Sequence, residues 1–172
     1  MTPSTTVMKR HQLGREGEHP WGDLGQLILL ALFLTVWALD SFLIHFSTQP
    51  ASFLPLAARL AAAGLILLAA VDFARKGHRV VSEETRRQGR LLKDGVFARV
   101  RHPLYLATLL FYAALVVATG SLLSLAVLGG IFLFTNAIAG YEEKHLIRKH
   151  GRDYQEYMNA VGRWIPRFPS KA

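Results

Sequence analysis

Two short polar clusters interrupt the apolar second half of this chain of 172 residues. The first is the run Arg101-His102-Pro103-Leu104-Tyr105, and the second is the run Tyr141-Glu142-Glu143. Arginine and tyrosine bind anionic and polar groups, while histidine and glutamate accept or donate protons. If the fold brings the clusters together, they could bind a charged cofactor and assist a proton transfer.

The glutamate pair lacks a partner within its own predicted helix. The positions three and four residues away from Glu142 and Glu143 hold no lysine or arginine, so no local helical salt bridge stabilises them. Both carboxylates also come near the C-terminal end of an apolar helix, where the helix dipole disfavours negative charge. This pattern predicts a cationic partner from elsewhere in the protein or from a ligand.

Composition predicts an all-α integral membrane protein and argues against disorder or an ordinary soluble domain. The chain is 51% hydrophobic, its mean hydropathy is +0.24 and only 19% of its residues are charged. Apolar segments run over 24–46, 53–73 and 104–139. The first two can each cross a hydrocarbon layer of about 30 Å, and the third is long enough for two passes. A turn at Gly120 would make this third segment a helical hairpin, giving four spans in total.

The basic residues predict the orientation of these spans. Three lysines and arginines precede the first span, nine lie in the stretch 75–101 and seven lie in the C-terminal tail. The two intervening connections have none. The positive-inside rule therefore places both termini and the 75–101 stretch in the cytoplasm. It also explains the net charge of +8 by anionic lipid headgroups rather than nucleic acid.

A hairpin that crosses the membrane and returns brings the two polar clusters to the same cytoplasmic interface. A purely structural interpretation of the first cluster stays open. Arginine and tyrosine are common anchors at the interface, and proline is common in a first helical turn. The chain has no cysteine, which excludes disulfides and thiolate metal sites, and no metal site is predicted.

The tail carries its own helical signals. The fourth helix is predicted to continue over 141–150 and to end at Gly151. Asp153 followed by Glu156 predicts a capping box at the start of a further helix. Apolar side chains then follow at helical spacing, which predicts a short amphipathic helix on the membrane or folded back over the hairpin: Tyr154, Tyr157, Met158 and Val161.

Two charges fall within the first two predicted spans. Asp40 lies near the end of the first span, and Arg59 lies near the start of the second. Because charges at membrane depth usually pair, we predict an ion pair between them. The alternative is that Arg59 reaches the outer headgroups while Asp40 is neutral. Both interpretations are structural.

The motifs, taken in order, resemble a known superfamily. The RHPLY run, the hairpin, the glutamate pair and the tail GRDYQEYMNAVGRWIP are similar to the pattern of the isoprenylcysteine carboxyl methyltransferases and phospholipid methyltransferases. The resemblance covers residues 91–168. It implies S-adenosylmethionine (SAM) as cofactor and a methyl acceptor that is a lipid or lipid-modified molecule entering from the bilayer.

The resemblance also implies roles for individual residues. The cofactor-binding residues would be Arg101, His102, Tyr105, Tyr141, Glu142 and Glu143. The catalytic residues would be His102, Glu143 and Arg163, and the acceptor would meet Arg163 and Trp164. The chain then divides into a cytoplasmic N-terminal segment (1–23), two transmembrane helices (24–74) and a methyltransferase core (75–172).

The leading hypothesis is therefore a SAM-dependent methyltransferase similar to those that methylate isoprenylcysteine carboxyl groups. One alternative is N- or S-methylation of a phospholipid or small amphiphile. Another is a non-catalytic membrane protein whose basic segments bind lipid. The expected partners are membrane lipids and a lipophilic acceptor, without nucleic acid, and the sequence does not indicate an oligomeric state.

Overall fold

A computed structural model describes residues 22–48, 53–85 and 91–167 of the chain. Most of the predicted N-terminal segment (1–23) lies outside these ranges, and only residues 22 and 23 fall within them. Every named element in the described ranges is helical: α1 (Gly22–Ala38) followed by a π-helical turn (Leu39–Ile44), α2 (Leu56–Thr85), a 3₁₀ turn (Gly95–Ala98), α3 (Pro103–Thr119), α4 (Leu122–His150) and α5 (Arg152–Ala160).

Three of the helices are long and apolar enough to cross a membrane. These spans are Leu24–Ile44, Leu56–Ser82 and Leu122–His150. Helix α3 is also apolar but has only 17 residues, or about 26 Å at 1.5 Å per residue. Large leucines on the other helices face outward, such as Leu65 and Leu133 with about 70% of their surface exposed. Such an apolar exterior fits a lipid environment, and the protein is an all-α integral membrane protein.

The predicted hairpin turn lies at Gly120. This glycine ends α3 with φ of 69°, a left-handed conformation that glycine adopts without a steric penalty. Ser121 then caps α4, because its side chain accepts a hydrogen bond of 3.0 Å from the Ser124 amide. Helix α4 continues to His150 and ends at Gly151, as predicted.

One side of α1 packs onto the hairpin through aromatic residues. Phe33 is fully buried and contacts Tyr112, with 4.4 Å between ring centroids. One turn further along α1, Trp37 donates from its indole nitrogen to the Leu115 carbonyl at 3.2 Å. Helix α2 approaches α3 closely at Gly77, where a Cβ atom would lie 2.7 Å from Leu104 Cδ2. Helices α1, α2 and α4 therefore all pack against α3.

The predicted ion pair between Asp40 and Arg59 is wrong. Asp40 is 1% exposed and accepts hydrogen bonds from the Ser47 amide at 3.0 Å, the Ser47 hydroxyl at 2.5 Å and the Ser121 hydroxyl at 2.5 Å. Arg59 instead donates to the Ala118 carbonyl at 3.3 Å, near the end of α3. Three hydrogen bonds compensate the buried carboxylate, while the arginine binds a free carbonyl at a helix C-terminus.

The predicted capping box of the tail helix is also wrong, although its apolar stripe is confirmed. Helix α5 begins at Arg152, so Asp153 lies inside its first turn, and Glu156 pairs with Arg152 at 3.0 Å. Gly151, with φ of 57°, already reverses the chain between α4 and α5. The buried stripe packs against Leu146 and Ile147 on the end of α4, and it consists of Tyr154, Tyr157 and Val161.

Candidate functional site

The two polar clusters of the sequence meet at the end of the hairpin opposite the Gly120 turn. His102 precedes α3 at its N-terminus, and Tyr105 lies in the first turn. The Tyr105 hydroxyl donates a hydrogen bond to Glu142 Oε1 on α4. His102 Nε2 lies 3.1 Å from Glu143 Oε1. The predicted juxtaposition of the clusters is therefore present in the structure.

Glu143 is the centre of an ionic cluster and is only 2% exposed. Arg163 binds it with two nitrogens, since Nε lies 3.0 Å from Oε1 and Nη2 donates to Oε2. Such paired bonds are the strongest arrangement between a guanidinium and a carboxylate. The partner that the sequence required for this carboxylate thus comes from the protein itself.

Arg101 adds a second positive charge to the cluster. Its Nε lies 3.1 Å from Glu143 Oε1, but the N–H is not aligned for a hydrogen bond, so the contact is an ion pair only. Its Nη1 donates instead to the Met158 carbonyl on α5 at 2.9 Å. The backbone amide of Arg101 donates to the Gly162 carbonyl, also at 2.9 Å. Arg101 therefore joins α3, α4 and the tail.

His102 lies between the two glutamates. While Nε2 faces Glu143, Nδ1 lies 3.6 Å from Glu142 Oε2. Because a carboxylate can only accept, the hydrogen bond to Glu143 requires the tautomer with its proton on Nε2. The Trp164 ring lies against the imidazole, with 5.9 Å between centroids.

The tail after α5 turns back over this cluster. Gly162 makes this turn possible, because a Cβ atom at that position would lie 1.9 Å from the Ile165 carbonyl oxygen. The turn carries Arg163 and Trp164 onto α4. The ion pair and hydrogen bond with Glu143 raise the pKa of Arg163 above its usual value, so the guanidinium remains charged.

Sequence reasoning missed Asn136. Its Oδ1 accepts hydrogen bonds from Arg163 Nη1 at 2.8 Å and from Trp164 Nε1 at 3.1 Å. The available signal was an isolated amide in the apolar part of α4. Asn136 lies two helical turns before Glu143, and this spacing places both residues on one face of the helix. Asn136 anchors the two tail residues that the resemblance assigned to the acceptor.

A groove of about 970 Å³ runs between α1, α2 and α3 beside the cluster. Its volume is at the upper end of the range for small-molecule sites. Apolar side chains of all three helices line one part of it, including Leu30, Leu67 and Phe111. The other part is polar and is lined by Arg101, His102, Tyr105, Glu142 and the α2 residue His78.

The two glutamates differ in their access to this groove. Glu142 lines the groove with 23% of its side chain exposed, whereas Glu143 is enclosed by its arginine and histidine partners. Tyr141 is half exposed and is not among the described residues that line the groove. The resemblance implies the same cofactor role for all three, and the structure places only Glu142 where a ligand in the groove can reach it.

Comparison with known proteins agrees with this geometry. Residues 78–153 match the family model described as phospholipid methyltransferase, and the matched segment contains both polar clusters and the hairpin. No curated protein and no solved structure matches the chain. The fold and this match are similar to those of integral membrane methyltransferases. More particularly, residues 78–153 match the superfamily that contains the isoprenylcysteine carboxyl methyltransferases and the phospholipid methyltransferases.

Proposed function

We propose that this protein is a SAM-dependent methyltransferase whose acceptor is a lipid or lipid-modified molecule that enters the groove from the membrane. The single observation that supports this most is the division of the groove. Its apolar part lies between membrane helices, and its polar part ends at Arg101, His102, Tyr105 and Glu142. A lipophilic acceptor and a charged cofactor could thus meet within one continuous space.

The polar residues match the chemistry of SAM, which carries an ammonium, a sulfonium and a carboxylate. The Glu142 carboxylate faces the groove and would attract the ammonium group or accept from ribose hydroxyls. The Tyr105 hydroxyl holds Glu142 in place by its hydrogen bond. Arg101, which also lines the groove, would attract the cofactor carboxylate. No Rossmann glycine motif occurs in the sequence, so this cluster is the best candidate for cofactor binding.

Methyl transfer is an in-line displacement, and the protein must mainly position two reactants and exclude water. SAM supplies an electrophilic methyl group when it is bound. His102 lines the groove and is positioned by Glu143, so it is the best candidate to remove a proton from an amine or thiol acceptor. A carboxylate acceptor would need no base. Glu143 and Arg163 would act by holding His102, Arg101 and Trp164 in place.

The finer assignments rest on the resemblance of the motifs. We favour carboxyl O-methylation similar to that of isoprenylcysteine, with Trp164 and Arg163 near the acceptor. Methylation of a phospholipid amine is the second candidate, supported by the description of the matched family. We also propose four spans with cytoplasmic termini, in which the short helix α3 is the third span, and the division into segments 1–23, 24–74 and 75–172.

The two candidates differ in the chemical bond that they form. Purified protein in nanodiscs would receive SAM with a tritiated methyl group and either N-acetyl-S-farnesylcysteine or dioleoyl phosphatidylethanolamine. Base-labile label in the first acceptor indicates a methyl ester, and stable label in the second indicates N-methylation. Glu142→Gln should abolish transfer, and the exposed control Glu156→Gln should retain it. Transfer to neither acceptor by folded wild-type protein would contradict the proposal.

A further inference from the structure

A small recess lies beside the groove where α1, α3 and α4 meet. Its volume is about 20 Å³, which is enough for one small polar group. Five of its lining residues carry hydrogen-bonding side chains: Gln26, Tyr105, Thr108, Tyr112 and Thr135. All of these except Thr135 also line the groove, so the recess adjoins the groove. None of the five carries a formal charge at neutral pH.

Three of these side chains are available for a ligand. Tyr112 and Thr135 are only 2% and 8% exposed. Within the described part of the chain, neither they nor Gln26 makes a side-chain hydrogen bond. Burying a hydroxyl or amide without a hydrogen bond is unfavourable in apolar surroundings. Their convergence on one recess indicates a site for a group that can accept and donate hydrogen bonds.

The position of Gln26 follows from the packing of α1. It lies two turns before Phe33, and helical spacing places both residues on the face that packs onto the hairpin. Phe33 contacts Tyr112, which itself lines the recess. An amide on this face near the end of a membrane helix is directed at the protein rather than at lipid, as is usual for polar residues in membrane bundles.

The recess adjoins the polar end of the groove through a shared residue. The Tyr105 hydroxyl donates to Glu142, while the same side chain lines the recess. A group bound in the recess would therefore lie close to the site proposed for cofactor binding. Gln26 also lies outside the family match over 78–153, so it belongs to the part of the chain that can give this protein its own specificity.

We infer that the recess binds a neutral carbonyl group of the methyl acceptor, an amide or an ester, and that Gln26 recognises it. This inference rests on the proposed function and names the class of acceptor. The amide of Gln26 would donate to the carbonyl oxygen, and the hydroxyls of Tyr112 and Thr135 would donate to it or accept from a neighbouring N–H. A charged group would find no counter-charge in the recess.

The experiment uses acceptor pairs in which only one member has this carbonyl group. The first pair is N-acetyl-S-farnesylcysteine and S-farnesylthiopropionic acid, which lacks the acetamido group. The second pair is dioleoyl phosphatidylethanolamine and its diether analogue, which lacks the ester carbonyls. KM and kcat would be measured in nanodiscs for wild-type protein, Gln26→Leu and Tyr112→Phe. Thr35→Val, which changes an exposed polar residue of α1, is the matched control.

We expect Gln26→Leu to raise KM for the carbonyl-bearing member of one pair by about three- to tenfold. The KM for the member without the carbonyl, the kcat for both members and the Kd for SAM should change little. Thr35→Val should resemble wild type. The affected pair identifies whether the carbonyl is an amide or an ester. Tyr112→Phe keeps the ring and tests the recess independently if Gln26→Leu does not fold.

Two negative results have different meanings. If wild-type protein binds SAM and methylates the acceptors, but both variants affect the two members of each pair equally, the inference about the recess is overturned. The same holds if neither variant has any effect. If folded wild-type protein does not bind SAM, the proposed function fails first, and the recess then has no acceptor to recognise.

Discussion

Arg163 and Glu143 form a two-nitrogen ion pair although they lie on different elements, one in the tail after α5 and one on α4. The pair fixes the tail over the hairpin and places Trp164 against His102. Asn136 strengthens the arrangement, since it accepts from both Arg163 and Trp164. The geometry of the candidate site therefore depends on a contact between α4 and the tail after α5.

Removing this ion pair should destabilise the protein. In Arg163→Gln, the buried Glu143 carboxylate would keep Arg101 but lose its paired hydrogen bonds. Breaking a buried ion pair costs about 3–5 kcal/mol, and the 27% exposure of the Arg163 side chain reduces this to about 2 kcal/mol or more. Thermal unfolding in detergent would measure the change. Arg167→Gln, which removes exposed hydrogen bonds to two carbonyls, should have a much smaller effect.

The turn at Gly162 should not tolerate a side chain. Gly162→Ala would place Cβ 1.9 Å from the Ile165 carbonyl oxygen, so the tail would have to move and Arg163 would leave Glu143. Lower thermal stability and weaker SAM binding should result. Gly129→Ala is the matched control, because no atom lies within 4 Å of its Cβ position and alanine favours a helix. Equal behaviour of the two variants would contradict this description of the turn.

Alkaline pH should weaken the packing of α5. Burial raises the pKa of Tyr157 to about 12, and burial likewise raises the pKa of Tyr154. The native state therefore holds these protons more tightly than the unfolded state, in which the pKa is near 10. Their contribution to stability is complete below pH 10 and is lost as the pH rises from about 10 to 12.

Melting temperatures between pH 8 and pH 11 would test this dependence. In Tyr157→Phe, the hydrogen bond to the Phe97 carbonyl is lost, at a cost of about 1 kcal/mol at neutral pH. The melting temperature of this variant should fall less steeply at alkaline pH than that of the wild type, because one titrating group is gone. An unchanged decline would show that other groups cause it.

Much of the site was predictable because its signals are local or follow from topology. The left-handed turn at Gly120 favours glycine, and this glycine lies between two apolar runs. A hairpin that turns there necessarily returns Glu142 and Glu143 to the level of His102. The absence of local cations beside Glu143 predicted a distant partner. Which arginine fills that role was not predictable, because the answer depends on the turn at Gly162.

The errors have a common cause in side-chain packing. The sequence positions of Asp40 and Arg59 predict matching depths in the membrane, but hydroxyl groups from Ser47 and Ser121 reach the carboxylate instead. Their positions depend on the π-helical turn after α1, which has no clear sequence signal. Gln26 was not singled out because the rotation of α1 against the hairpin decides whether its amide meets Tyr112 or lipid.

The central claim is that the polar end of the groove binds SAM, and calorimetry on protein in nanodiscs tests it most directly. Wild-type protein, Glu142→Gln and Glu156→Gln would be titrated with SAM after their thermal stability has been shown to be equal. We predict micromolar binding by wild type and Glu156→Gln, and at least tenfold weaker binding by Glu142→Gln, because a charge-assisted contact is lost. Absence of SAM binding by the folded wild type, or equal binding by all three, would contradict the account.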